Sequence, residues 1–291
     1  RRSADVPLPA DSVRAIAARL AEHAGLELPA WVVDARAAAR IAQLGDTPDG
    51  YVERLDGARG VAELSALIEA VRVGESRLFR HRAQLAALTD AIAPALRARG
   101  VRALRVWSAG CAAGEEPYTL AIVLAAALPG CAIAITATDI SAEALAQARA
   151  ARYPRAQLAH VPPAYHDRLR VDGDDVVVDP AIAALVRFER ANLLDGASPR
   201  GCDLVWCRNV LIYFTADARR RAIARVVAAT APGGCVFVGY SESLRDVDGL
   251  EPVRAGDATY YVRRAPEALA RPPTTPPPIA GGALDAIAAR G

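Results

Sequence analysis

Two glutamates, one aspartate and two asparagines stand in this sequence where their side chains could do chemistry. The glutamates belong to residues 104–118, Leu-Arg-Val-Trp-Ser-Ala-Gly-Cys-Ala-Ala-Gly-Glu-Glu-Pro-Tyr. The apolar start predicts a buried strand, and Gly110 and Gly114 predict a tight turn. Glu115, Glu116 and Pro117 then open a helix, where a missing proline N–H costs nothing. A strand–turn–helix unit of this kind aims free N–H groups and the positive helix end at whatever lies over the turn. Two glutamates would repel a pyrophosphate, and the Gly-x-Gly-x-x-Gly fingerprint is absent because Gly110 and Gly114 are four apart. The pattern points to an aminated or cationic nucleotide-like ligand; the bland alternative is an ordinary turn with a charged helix start. Residues 132–138 predict the next strand, which ends at Asp139. A carboxylate there can accept both hydrogens of a ribose diol, although it can also be a plain helix-start residue. Asn192 and Asn209 are the chain's only asparagines.

The elements that must position these groups alternate β and α from residue 101 onward. Strands are expected near 176–178, 186–189, 203–207, 235–240 and 259–262, with Ser141 and Thr215 as helix caps and a turn at 232–234. Crossovers of this length imply an α/β fold, a Rossmann-like, doubly wound and mostly parallel sheet. Ligands on such sheets sit outside the strand C-termini. Gly110, Asp139, Asn192 and Arg208-Asn209 all follow predicted strand ends, so both asparagines fall on the ligand edge. Upstream, residues 10–70 read as a small all-α unit with Val13, Ile16, Ala17 and Leu20 at helical spacing. Arg36 and Arg40 share one helix face there, as a contact for an acidic partner or as a solvated surface. Residues 71–100 link the two units through a helix starting near Arg80. If that link folds over the sheet, Ser76 and Arg80 reach the ligand mouth. Residues 266–278 are a stiff proline-rich linker, after which 283–290 could begin a helix of a further interaction domain.

Composition narrows the classes. The chain has 291 residues, 53% hydrophobic and 23% charged, enough for a large domain and a smaller one. A net charge of +2 argues against bulk nucleic-acid or membrane binding. The five cysteines form no Cys-x-x-Cys and no histidine is spaced for zinc, so a reduced, cytoplasmic protein without a metal is expected. The apolar run 120–137 is broken by Pro129-Gly130 and does not read as a membrane span.

Five ordered motifs give the sequence a family likeness: residues 74–80 (Gly-Glu-Ser-Arg-Leu-Phe-Arg), 107–118, 137–140 (Ala-Thr-Asp-Ile), 207–214 (Cys-Arg-Asn-Val-Leu-Ile-Tyr-Phe) and 239–244 (Gly-Tyr-Ser-Glu-Ser-Leu). Over roughly residues 10–264 it resembles the CheR-type chemotaxis receptor methyltransferases, which use S-adenosylmethionine to esterify glutamates on receptor signalling helices. The resemblance implies that cofactor, with S-adenosylhomocysteine as product, and chemoreceptor cytoplasmic helices as substrate. It also implies a catalytic domain over 101–264, with room at 171–190 for a small β-hairpin subdomain. Carried over by position, Ser76 and Arg80 lie over the cofactor, Glu116 meets its methionine part, and the Gly110 turn is counted among the cofactor-binding residues. Asp139 takes the ribose, Asn192-Leu193 flank the adenine, and Arg208-Asn209 line the methyl-donor end. Tyr213 and Arg170 line the entry of the target glutamate. Gly74 stands where some members have Asn, and Leu78 replaces the first Phe of a Phe-Phe pair.

The implied chemistry suits these residues. A carboxylate is already ionised at pH 7, so attack on a sulfonium methyl needs no general base. His81, His160 and His166 have no partner motif and read as structural or surface groups. Arg80 and Arg170 can orient the incoming carboxylate bidentately. Tyr213 can donate to it or face the sulfonium with its ring. Two rivals stay open: a nicotinamide-dependent oxidoreductase, disfavoured by the missing fingerprint, and a non-catalytic S-adenosylmethionine-binding scaffold of a chemosensory system.

Overall fold

Strand β1 (Ala103–Ala109) lies at the centre of a seven-stranded sheet in the computed structural model, which describes residues 7–57, 60–72 and 76–265. The expected proline-rich linker, the helix start after it and Gly74 lie outside the described residues. On one side of β1 come β2 (Ala132–Asp139) and β6 (Val186–Arg190), both parallel. On the other come β7 (Cys202–Cys207) and β8 (Thr230–Val238), also parallel. Strands β9 (Leu250–Ala255) and β10 (Ala258–Arg263) complete that edge antiparallel, giving the order β6-β2-β1-β7-β8-β10-β9. This is a doubly wound, Rossmann-like α/β architecture. The chain leaves β1 toward one side and later returns to β7 on the other, so a crevice opens between their C-terminal ends.

The first four helices form a separate apolar cluster: α1 (Ala10–Ala24), α2 (Ala30–Leu44), α3 (Pro48–Asp56) and α4 (Gly60–Val71). In α1 the buried residues Val13, Ile16, Leu20 and Ala24 recur at the helical period, and left-handed Gly25 ends the helix, its N–H donating to the Ala21 carbonyl and the Leu26 N–H to the Leu20 carbonyl. Arg40 is not a free contact on α2. Its guanidinium donates to both carboxylate oxygens of Glu63, at 3.0 and 2.8 Å, so one of the two arginines is spent inside the unit.

The linking helix is interrupted: α5 (Arg82–Ala87) passes through a π turn (Leu88–Ile92) into α6 (Ala93–Ala98). Pro94 has no N–H to give Asp90, and the wider turn accommodates the gap. The helix α7 (Glu115–Ala127) is apolar nearly all round and buried, whereas α8 (Ala142–Ala150) and α10 (Ala216–Ala229) are capped by Ser141 and Thr215. A short helix α9 (Pro180–Ala183) leads into β6. The small subdomain is a three-stranded antiparallel sheet of β3 (Arg152–Pro154), β5 (Asp175–Val178) and β4 (Leu169–Asp172). It therefore starts earlier than residue 171, and residues 186–190 belong to the large sheet instead, paired with β2. Residues 232–234 are not a free turn but part of β8, where a register shift between Cys202 and Leu204 absorbs the extra residues. No described helix is long and apolar enough to cross a membrane.

Candidate active site

A cleft of about 1160 Å³, counting its open mouth, lies over the carboxyl ends of β1, β2, β6 and β7. Ligand sites commonly run at roughly 300–1,000 Å³. The helical unit closes one wall with Leu26, Leu28, Ile68 and Arg72. Ser76 and Arg80 line it from the link, and Gly110, Glu116 and Asp139 from the first two strand ends. Asn192, Leu193, Arg208, Asn209 and Tyr213 come from the later strand ends.

The turn after β1 is drawn tight by Gly110 and Cys111, whose N–H groups both donate to the Thr138 carbonyl at 2.8 and 3.0 Å. Gly110 has φ +76, and a Cβ there would lie 2.3 Å from the Val210 side chain, so the ends of β1 and β7 can meet only over glycine. Asp139 is 8% exposed. Its Oδ2 accepts the Ala112 N–H at 2.8 Å and its Oδ1 the Ser141 N–H at 2.9 Å. A carboxylate has about four acceptor sites, so two stay open beside the cleft. Burial pushes the Asp139 pKa up, against these two hydrogen bonds. A pair of ligand hydroxyls would supply the missing donors. Asn192 is more committed: its Oδ1 accepts the Leu194 N–H at 3.0 Å and its Nδ2 donates to the His23 carbonyl at 3.2 Å.

Glu116 faces the cleft through a buried network. The Ser108 hydroxyl donates to its Oε1 at 2.7 Å and Arg208 Nε to its Oε2 at 2.8 Å. Burial pushes its pKa up, opposed by Arg208 and Ser108. Arg208 also donates to Gln84 Oε1 at 3.0 Å and lies 5.3 Å over the Trp206 ring. The acidity expected of this turn is therefore largely cancelled: Arg208 neutralises Glu116, and Glu115 does not line the cleft. Glu115 is buried with Oε2 unpartnered; burial raises its pKa, while a hydrogen bond from Ser76 opposes the rise. Repulsion of phosphate cannot rest on two free glutamates.

Arg80 sits between Phe79 and His81, both at positive φ (53° and 62°). Left-handed non-glycine residues are uncommon and mark an over-determined turn. The Phe79 N–H is held by Thr119 Oγ1 at 3.0 Å, and the His81 ring stacks on Tyr240 at 4.4 Å. Burial, helped by Arg208, Arg80 and Arg77, lowers the His81 pKa to about 4, so this imidazole is neutral near pH 7. Tyr213 closes the far wall from a 3-10 turn (Leu211–Tyr213), and its carbonyl accepts the Glu27 N–H at 2.7 Å, tying the helical unit to this loop.

Arg170 is brought to a different place. Among the described residues it does not line the cleft; it lies on β4 of the small sheet, opposite Val177, with its side chain 68% exposed and 3.7 Å from Asp172. Of the two arginines expected at the substrate's entry, Arg80 lines the cleft and Arg170 does not. Sequence reasoning also missed Ser108, Gln84, Arg72 and Glu69. Ser108 had a signal, a small hydroxyl in an apolar strand two residues before the turn. Glu69 had none: its carboxylate accepts from Ser141 Oγ and from the Glu143 N–H at 3.4 Å, latching α4 onto the start of α8 across 72 residues.

A family model described as "CheR methyltransferase, SAM binding domain" matches residues 74–259. The Chemotaxis protein methyltransferase of Listeria monocytogenes serovar 1/2a is 34% identical over 205 residues, covering 69% of this chain and 76% of that protein. Chemotaxis protein methyltransferase 1 of Pseudomonas aeruginosa is 32% identical over 224 residues, covering 72% and 81% respectively.

Proposed function

The chain belongs to the CheR methyltransferase family, whose matched domain binds S-adenosylmethionine, and we propose that it methylates glutamate side chains of chemoreceptor signalling helices. One juxtaposition supports this reading: a half-filled carboxylate at one end of the cleft, suited to a diol, faces an arginine and a tyrosine at the other. Asp139 would hold the ribose through its two open acceptor sites. Glu116, also with two sites filled, would take the amino group of the cofactor's methionine part, with Ser76 and Arg80 above it. Asn192 and Leu193 would flank the adenine; with the Asn192 amide already engaged, recognition there falls mainly on backbone and apolar contact. When bound, the cofactor supplies an electrophilic methyl on a cationic sulfur.

The protein's own task is alignment. Arg80 gives a fixed fork of donors to the incoming carboxylate. Its turn is braced on both sides, so little freedom is lost when substrate arrives. Tyr213 donates a hydrogen bond to the same carboxylate or sets its ring face toward the positive sulfur. No proton must move, which fits a site whose adjacent histidine is neutral and stacked. Arg208 balances Glu116 and lines the transfer end rather than gripping substrate. Holding the pair in reacting geometry is worth roughly 7–11 kcal/mol in favourable cases.

The test is transfer of labelled methyl from S-adenosylmethionine to receptor-containing membranes, with the label released as methanol by base. Base-labile label on receptor glutamates is the expected result. Cofactor binding with no label on any receptor would leave a scaffold and end the proposal.

A further inference from the structure

The motif at 239–244, Gly-Tyr-Ser-Glu-Ser-Leu, has no part in the chemistry just described. Its glutamate, Glu242, is 8% exposed and does not line the cleft. Four backbone N–H groups converge on its carboxylate. Oε2 accepts Gly239 at 2.6 Å and Asn209 at 2.9 Å; Oε1 accepts Val210 at 3.1 Å and Ile212 at 3.2 Å. A carboxylate offers about four acceptor sites, so unlike Asp139 this one has none left for a ligand.

Three of the four donors belong to one loop, the segment after β7 that carries Arg208, Asn209, Val210 and Tyr213 into the cleft. Successive N–H groups pointing inward form a concavity that binds an anion. Here the chain supplies the anion itself. Asn209 holds the loop's bend at φ +57, a conformation asparagine tolerates. A Cβ on Gly239 would lie 2.8 Å from Glu242 Oε2 and 3.0 Å from the Asn209 nitrogen, so the glycine permits the approach. The turn bearing Glu242 is itself fixed: Gln84 Nε2 donates to the Val238 carbonyl at 2.7 Å, and the Leu244 N–H donates to the Tyr261 hydroxyl at 3.0 Å.

We propose that Glu242 is a positioning residue for methyl transfer: its carboxylate sets the path of residues 208–213 and so aims Asn209 and Tyr213 at the reacting atoms without touching them. The inference rests on the transferase reading above. Removing the carboxylate leaves all four N–H groups, three of them in this loop, without their acceptor, and an amide in its place satisfies only part of them and adds an opposing NH2, so the loop must open to reach water. An in-line displacement is sensitive to this, since a misplacement of about 1 Å can cost on the order of 10²-fold in rate. Asp139 and Asn192 stand on other strand ends, so cofactor affinity should be spared.

The experiment uses the full chain with Glu242→Gln and Glu242→Ala. Turnover should fall roughly 10- to 100-fold in both, while the affinity for S-adenosylhomocysteine changes by less than about threefold. Amide exchange at Asn209, Val210 and Ile212 should accelerate, with exchange in β1 and β2 unchanged. Formate, but not formamide, should restore turnover to Glu242→Ala by refilling the space with an anion. Should Glu242→Ala fail to fold, Glu242→Gln keeps the shape and carries the test. Full turnover in Glu242→Gln, or a loss of cofactor affinity as large as the loss of turnover, overturns the proposal. If no receptor is methylated even by the unaltered chain, exchange still decides: equal protection of the three amides in Glu242→Gln and the parent refutes the clamp, and faster exchange supports it.

Discussion

At the Asp139 end of the cleft the polar groups are half satisfied; at the Arg208 end they are almost fully satisfied by one another. Asp139 has two backbone donors and two open sites, with its pKa raised by burial. Arg208 spends its guanidinium on Glu116 and Gln84, and Glu242 spends all four acceptor sites on backbone. The difference separates binding from alignment. A buried acceptor without donors is costly until a ligand supplies them. A network closed on itself gains from a ligand only at the acceptor sites still open on Glu116, but it holds its members still.

Breaking the closed end should have the largest effect, and on stability. Glu116→Ala leaves Arg208 buried without its counter-charge and should cost roughly 3–5 kcal/mol of unfolding free energy, read by denaturant titration. A loss near that of an exposed pair would mean the network is not closed. At the open end, Asp139→Ala should weaken S-adenosylhomocysteine binding by roughly 1.5–3 kcal/mol in calorimetry; unchanged affinity removes Asp139 from the ribose.

The open end also predicts a pH dependence. Hydroxyl donors favour the ionised carboxylate, so binding expels a proton wherever Asp139 is protonated in the free protein. Affinity should therefore fall as pH is lowered through a pKa above the ordinary carboxylate range, and the fall should vanish in Asp139→Asn. On turnover, Arg80→Ala should cost roughly 1.5–3 kcal/mol and Tyr213→Phe about 0.5–1.5, as for charged and neutral hydrogen bonds. The reverse order would reassign the carboxylate's partner. Arg170→Ala, on the exposed face of the small sheet, should have the smallest effect, within about 0.5 kcal/mol in stability and transfer alike.

Much of the open end was legible because it follows from topology: Gly110 and Asp139 stand at the ends of strands whose apolar runs are plain in the sequence, and Asn192 follows a strand of alternating residues. Register was not legible where the chain lacks a period. Arg170 follows two 3-10 turns, Arg155–His160 and Pro163–Arg168, which carry neither helical nor strand spacing. Strand β9 escaped notice because Pro252 interrupts it, a residue sheets tolerate on an edge strand. The closed end was the least legible. Glu116 and Arg208 stand 92 residues apart, and Glu242 reaches Asn209 across 33, so no local pattern announces either contact. Acidity read from Glu115-Glu116 was cancelled by an arginine whose partner no spacing rule could name.

The most direct measurement is a crystal structure with S-adenosylhomocysteine bound. The ribose hydroxyls should lie within hydrogen-bonding distance of the Asp139 carboxylate, and the sulfur should point toward Arg80 and Tyr213. A ribose held elsewhere, with Asp139 still lacking two donors, would contradict the account.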